Sequence, residues 1–440
     1  MHTKSNISYI IIANILWSLI PVVVIGLFHE YSIITIIFLR FFIAGILLFA
    51  LAILYILINN NYTSNEKISL KKLLKFTSNK NEEFYNLNNM VYISILGFFG
   101  IILQIIGYFL ALKTTTIAFT MIGFQISIIL VAFYEHGVKA EKLDLFKILY
   151  LIILIFSIAI IIFVNFNETH NQNEINYALG FYYVILYTLC LTFLHLGITR
   201  DSYSKEELIL INKNANYKIP RLLIKLSLIF LTGILIMFPY ILFIYFIPID
   251  PILQKEISQF FTELSLIFQI IFRWDMFFLI IFATLIPFLL IFIASIKWSA
   301  YDLKYSQWNS ILTIIEPIGA IFFGVLLVNE YFPAGYLIII MFLLIISILF
   351  RYAHETKNKV NAYILLEKRM GVLESLPLRL LKFNGVCCVD SLIGTHDLLI
   401  HVKTNSIKDI YYLIDTEIRN LEGIVSIKIL FINKIYKLNN

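Results

Sequence analysis

The sequence predicts a polytopic α-helical membrane protein: ten transmembrane helices arranged as two inverted five-helix repeats, followed by a small α+β domain. Three observations carry this. The 440-residue chain is 60% hydrophobic and 14% charged, with a mean hydropathy of +0.87, whereas soluble domains carry about 25% charged residues. So little charge cannot cover a water-facing surface, so lipid must solvate most of the chain. Apolar stretches long enough to cross a bilayer recur from residue 8 to about residue 352 and then stop. Beyond Tyr352 the composition is that of a small soluble α/β domain.

A spanning helix needs about 20 apolar residues. Such stretches lie at roughly 8–28, 32–58, 89–112, 115–135, 143–165, 176–199, 221–247, 275–297, 306–329 and 333–352. The first holds Trp17 and Pro21 without a small-x-small cleavage site, so it reads as a span rather than a signal peptide. The stretch 249–272 is different. Leu253, Ile257, Phe260, Leu264 and Phe268 form an apolar stripe, with Gln254, Lys255, Glu256, Gln259 and Glu263 assigned to the other face. That pattern predicts a helix lying in the membrane interface.

Basic residues set the orientation. With the N-terminus in the cytoplasm, the inner loops and their edges hold Lys67, Lys71, Lys72, Lys75, Lys80, Lys139, Lys142, Lys147, Arg200, Lys205, Lys213, Lys218, Arg221, Lys225, Lys297 and Lys304. The outer loops hold only Lys113, Lys255 and Arg273. This predicts a multi-pass protein of the cell membrane with both termini cytoplasmic. Two odd-numbered halves, 1–169 and 170–356, are then inverted relative to each other, a common plan for proteins with a site at the repeat interface. The fourth span of each half runs into an acidic residue, Glu141 and Glu330, before a short turn.

Other classes lack support. Three cysteines, Cys190, Cys387 and Cys388, make neither a disulfide framework nor a CxxC zinc pair. The vicinal pair, pointing to opposite faces of a strand, reads as two small buried hydrophobes. No GxxxxGK[ST] loop, catalytic triad or metal-ligand cluster is present, so neither an enzyme nor a cofactor or metal is expected, nor ATP-driven action by this chain. Lys and Arg sit in loops between apolar segments, which does not suggest nucleic acid. The expected partners are membrane lipids and a small molecule.

Polar groups inside spans are costly and usually face the bundle interior. Glu316 lies near the middle of the ninth span, directly before Pro317, whose missing N–H is expected to free a carbonyl. It reads either as a site for a substrate ammonium or proton, or as a protonated acid bonded to a neighbouring helix. Arg40 lies about two turns inside the second span and either attracts an anionic group or snorkels to the interface. Trp17, Gln104, Tyr108 and Gln125 offer ring faces or hydrogen-bonding groups, either lining a pathway or joining helices.

These residues, in order, resemble a known family. Trp17-Ser18, Phe38-Leu39-Arg40-Phe41, Ala111-Leu112-Lys113-Thr114, Glu316-Pro317, Glu330 and Gly335 are similar to the ten-helix EamA-type members of the drug/metabolite transporter superfamily. The fourth span departs from the pattern, with Gln125 and Ile128 where a proline is usual. The resemblance implies a secondary transporter of small organic metabolites.

The tail, 357–440, reads as β over 362–367, helix over 371–383, strands over 386–393 and 397–403 joined by Gly394-Thr395-His396, helix over 407–421, and a last strand over 424–435. This βαββαβ order is the ferredoxin-like plan. Alternation in the last strand assigns Ile427, Ile429 and Phe431 to the sheet face that the helices leave uncovered, and an uncovered apolar face usually finds a partner. The segments "GVCCVDSLIGTHDLLIHVKT" and "LEGIVSIKILFI" resemble the effector-binding domain of Lrp/AsnC regulators, with Gly394 and Asp397 matching its Gly-x-x-Asp turn. The resemblance implies an amino-acid effector held at Gly394, Thr395, His396 and Asp397, and a homodimer through the tail. The bland alternative is that Thr395 and Asp397 only satisfy turn hydrogen bonds. The leading expectation is thus an exporter of metabolites such as amino acids, regulated by a cytoplasmic small-molecule sensor; the alternative is a transport-inactive membrane receptor or scaffold signalling through the tail.

Overall fold

The computed structural model describes residues 2–62, 67–81, 87–139, 144–168, 176–198, 207, 210–211, 215–247, 250–296, 303, 305–357, 360–368, 376–381, 383, 385–404, 407–421 and 423–431. Among them, ten helices are long and apolar enough to cross a membrane: Asn6–Leu27, Ile33–Asn61, Asn89–Thr114, Ile117–Tyr134, Leu145–Asn167, Tyr177–Gly197, Lys218–Phe246, Trp274–Ser295, Gln307–Leu327 and Ala334–Thr356. They are numbered spans 1 to 10 below. The predicted stretches are matched within a few residues. Glu141 lies outside the described residues.

The chain divides into two compact units. The first holds 1–131, 153–299 and 308–345; the second holds 132–152, 300–307 and 346–440. Within the first unit, span 3 is the most enclosed, with every residue from Gly100 to Leu112 buried. Its backbone meets that of span 7 at Gly97 and Gly233. A Cβ on Gly97 would fall 2.2 Å from the Ile229 carbonyl oxygen, so only glycine permits this crossing, a common device where no hydrophobic drive distinguishes helix from lipid.

Four spans are irregular. Span 1 is interrupted at Leu19, between helices His2–Ser18 and Ile20–Leu27, with Pro21 in the first turn of the second, where its missing N–H costs nothing. Span 9 is interrupted at Thr313–Ile314, between helices Tyr305–Leu312 and Ile315–Leu327. Spans 3 and 8 widen into π-type turns at Leu96–Leu103 and Ile281–Leu285, a feature frequent at functional sites.

The segment after span 7 forms the helix Pro251–Glu263, capped by Asp250, whose carboxylate accepts from Ile252 and Leu253 amides. The predicted stripe is buried only at Leu253, Ile257 and Phe260; Leu264 and Phe268 lie beyond this helix and are exposed, and the assigned polar face is corrected too. Glu256 and Glu263 do not lie on a solvated face; they are buried beside Leu253, Ile257 and Phe260. Glu263 accepts from the Ser32 amide (3.0 Å) and the Thr35 hydroxyl, and Glu256 from the Ile33 amide (2.7 Å). The free amides at the start of span 2 draw both acids inward.

The tail runs Val360–Lys368 (strand), Leu376–Leu380 (helix), Val386–Ser391 and Leu398–Thr404 (strands), a helical stretch Ile407–Ile418, and Ile424–Phe431 (strand). The sheet is antiparallel with spatial order second, third, first, fourth strand. Its core joins Ala362, Ile364, Leu366, Leu398, Ile400 and Val402 to Leu376, Leu380, Ile410, Leu413, Ile414 and Ile418. The expected reaches 371–375 and 432–435 fall outside the described residues.

Register corrects the reading of the last strand. Ile429 pairs with Ile364, Ile427 with Leu366 and Phe431 with Ala362. Paired residues share a face, so all three lie on the helix side, where Phe431 reaches Tyr411. The uncovered face instead takes Tyr363, His401, Lys428 and Leu430. Cys387 and Cys388 are also corrected: both are exposed. A bulge between Val386 and Cys388 breaks the alternation, and Cys388 falls opposite His401 on the uncovered face.

Candidate functional site

Span 2 brings Arg40 into the bundle. It does not snorkel: it is 2% exposed. Its Nε donates to Thr284 Oγ1 (2.6 Å) and its Nη2 to the Ala283 carbonyl (3.0 Å). The widened turn in span 8 makes both acceptors available, with Thr284 Oγ1 itself donating to the Leu279 carbonyl (2.8 Å), five residues back. The guanidinium lies 5.0 Å from the Phe41 ring, and its Nη1 has no hydrogen-bond partner. A buried donor left unpaired carries a cost of about 1–3 kcal/mol, more when charged.

Span 9 supplies an acid. Glu316 sits in the first turn of the helix Ile315–Leu327, where the helix dipole favours a carboxylate. The carbonyl that Pro317 was expected to free, Thr313 O, accepts instead from the Glu316 amide (3.2 Å); the chain tightens by one residue at the break. The Glu316 carboxylate makes no hydrogen bond among the described residues and keeps part of its surface accessible. Arg40 lies within Coulombic reach of it, as do Tyr108 and Tyr187. Those two phenol rings, from spans 3 and 6, are 5.0 Å apart and both buried.

The two interrupted spans abut. A Cβ on Gly319, in span 9, would lie 2.4 Å from the Ser18 hydroxyl at the break in span 1. Trp17, beside Ser18, is half-buried and meets Phe288 edge-on at 5.3 Å. Phe288 meets Phe230, and Phe230 meets Phe41 under Arg40.

Three of the six predicted pathway residues, Arg40, Tyr108 and Glu316, therefore share one polar cluster. Trp17 reaches it through an aromatic chain. Gln104 is buried one turn from Tyr108. Gln125 is engaged elsewhere: its Oε1 accepts from Ser157 on span 5, while its Nε2 is unpaired. Sequence reasoning missed Tyr187 and Thr284. Tyr187 is one of several tyrosines in its span and carries no distinguishing signal. Thr284 had one: Pro287 follows it in an apolar run, and helix irregularities gather near proline.

Two other motif residues have structural partners, one in a helix cap and one in an ion pair. The Glu330 carboxylate accepts from the Ile117 (3.1 Å) and Ala118 (3.2 Å) amides at the start of span 4. Burial pushes its carboxyl up, against those hydrogen bonds. Lys113 pairs with Glu256 at 2.5 Å.

In the tail, Gly394 (φ 151°) and Thr395 are exposed, and His396 and Asp397 are half-buried. The Asp397 amide donates to the Leu366 carbonyl and its carbonyl accepts from Leu392, closing the turn onto the first strand. His396 Nδ1 lies 3.0 Å from Thr395 Oγ1 and 3.8 Å from Glu367.

Residues 4–163 match the model of the EamA-like transporter family. The matched stretch carries Trp17, Arg40, Gln104, Tyr108 and Gln125; Tyr187, Thr284 and Glu316 come from the rest of the chain. No curated protein matches this chain. A solved structure described only as "Crystal structure of protein" aligns over 79% of this chain and 96% of its own, with 13% identity and a TM-score of 0.44.

Proposed function

We propose that the chain is a secondary transporter of small organic metabolites such as amino acids, an exporter whose second half repeats the first in inverted form. The observation that carries this is the Arg40–Glu316 pair: a guanidinium and a carboxyl group within Coulombic reach, not bonded to each other, with Arg40 Nη1 unpaired. A solute with an anionic and a cationic end would complete both. Interrupted helices beside such a pair are the usual way a transporter presents backbone and charge to its cargo, and the family match over the first five spans supports the same reading.

The tail, on this proposal, is a ferredoxin-like cytoplasmic sensor. Its β-α-β-β-α-β order and its sheet order support the plan, and the Gly394–Asp397 turn, with His396 near Glu367, is its effector site. Pairing of two tails would use Tyr363 and Leu430 on the uncovered face rather than the last strand's isoleucines.

Amino-acid flux in proteoliposomes tests the reading. Glu316→Gln should lower the rate roughly tenfold, a loss of about 1.4 kcal/mol. Asp397→Ala should keep basal flux and lose its response to added amino acid. Equal flux in wild type, Glu316→Gln and empty liposomes would leave the receptor or scaffold reading instead.

A further inference from the structure

Arg40 is not the one buried arginine with unpaired nitrogens. Arg351, in the last part of span 10, is 3% exposed, and both its Nε and its Nη1 lack a hydrogen-bond partner. Among the described residues no carboxylate pairs with it, and its guanidinium lies 5.5 Å from the Tyr150 ring of span 5. One turn earlier on the same helix face, the hydroxyl of Ser347, fully buried, is also unpartnered. Around them, Lys147 is 1% exposed on span 5, and His354 pairs with Asp144 at 2.5 Å.

A buried guanidinium without a carboxylate beside it is costly, and removing a charge's partner typically costs about 3–5 kcal/mol. Water can satisfy N–H groups but does not neutralise the charge. Three orphaned polar atoms within one turn point to an acceptor-rich, negatively charged occupant.

We propose that Arg351, with Ser347 and Tyr150, forms a binding site for a phosphate-bearing anion between spans 5 and 10. Phosphate has the acceptors that a guanidinium's several edges require, and arginine is suited to it. Two sources share this chemistry: an anionic phospholipid headgroup, which basic pockets between spanning helices accommodate, and a free phosphate. The helix continues to Lys357, just before the first tail strand at Val360, so an occupant here would brace the segment leading into the tail.

The test is thermal unfolding of the full chain in detergent at matched ionic strength, with phosphatidylglycerol micelles, phosphatidylcholine micelles, or inorganic phosphate. A ligand that binds only the folded state raises its melting temperature. The expected result is a rise of several degrees with phosphatidylglycerol or with inorganic phosphate, none with phosphatidylcholine, and loss of the rise in Arg351→Gln. A rise with phosphatidylglycerol alone assigns the site to a lipid headgroup; a rise with inorganic phosphate assigns it to the free ion. If Arg351→Gln does not fold, Arg351→Lys replaces it and should retain only part of the rise. Wild type that responds to no anion, or variants that respond as wild type does, would overturn the proposal.

Discussion

Four acids among the apolar spans fall into two kinds. Those between spans, Glu256, Glu263 and Glu330, each meet backbone amides at the first turn of another helix. Glu316, within a span, meets none among the described residues, and the Arg40 guanidinium within its Coulombic reach is held by other partners. The first kind is saturated: the amides that open a helix have no intrahelical acceptor, so a carboxylate there completes the fold. The second is left incomplete by the fold, which is what a site that binds and releases a solute requires. Location in the bundle therefore does not separate the two kinds of acid; the state of their partners does.

Removing each kind of acid in turn separates their roles. Glu263→Ala should have the largest effect on stability. It strands the Ser32 amide and the Thr35 hydroxyl, and a loss of about 3 kcal/mol is expected in denaturant unfolding of the detergent-solubilised chain. A loss under about 1 kcal/mol would mean that these groups find other acceptors. Thr284→Val removes the acceptor of Arg40 Nε while keeping the shape. About 1.5 kcal/mol should be lost, and flux should fall with it, because the guanidinium is no longer held in place. Stability lost without any change in flux would detach Arg40 from the site. Glu330→Gln keeps one oxygen toward Ile117 and Ala118, so about 1 kcal/mol is expected, read as a lower unfolding midpoint. Glu316→Gln should change stability least, by about 0.5 kcal/mol or less, while slowing flux most. If its unfolding midpoint drops as far as that of Glu263→Ala, then Glu316 belongs with the structural acids.

The sequence also marked three of the cluster's residues, for different reasons. Glu316 stood out because an acid beside a proline inside an apolar run has few other uses. Arg40 stood out equally, but its alternatives could not be separated, because a long side chain near a span end can leave the bundle or enter it. The partners Thr284 and Ala283 decide that, and they lie over two hundred residues away. Tyr187 was hidden because one buried tyrosine looks like another until its ring is seen against Tyr108.

What the sequence determined by itself is what depends on local composition. Apolar length sets the ten helices, because each must satisfy its own backbone in lipid. Alternation and turn residues set the strands and helices of the tail. The tertiary structure alone decided which acids are satisfied, where spans 1 and 9 break against each other, and which face the last strand's isoleucines take. A spanning helix is apolar on every side, so no periodicity separates its lipid face from its inner face. A strand's alternation shows that it has two faces, but only its register against a neighbour says which one is covered.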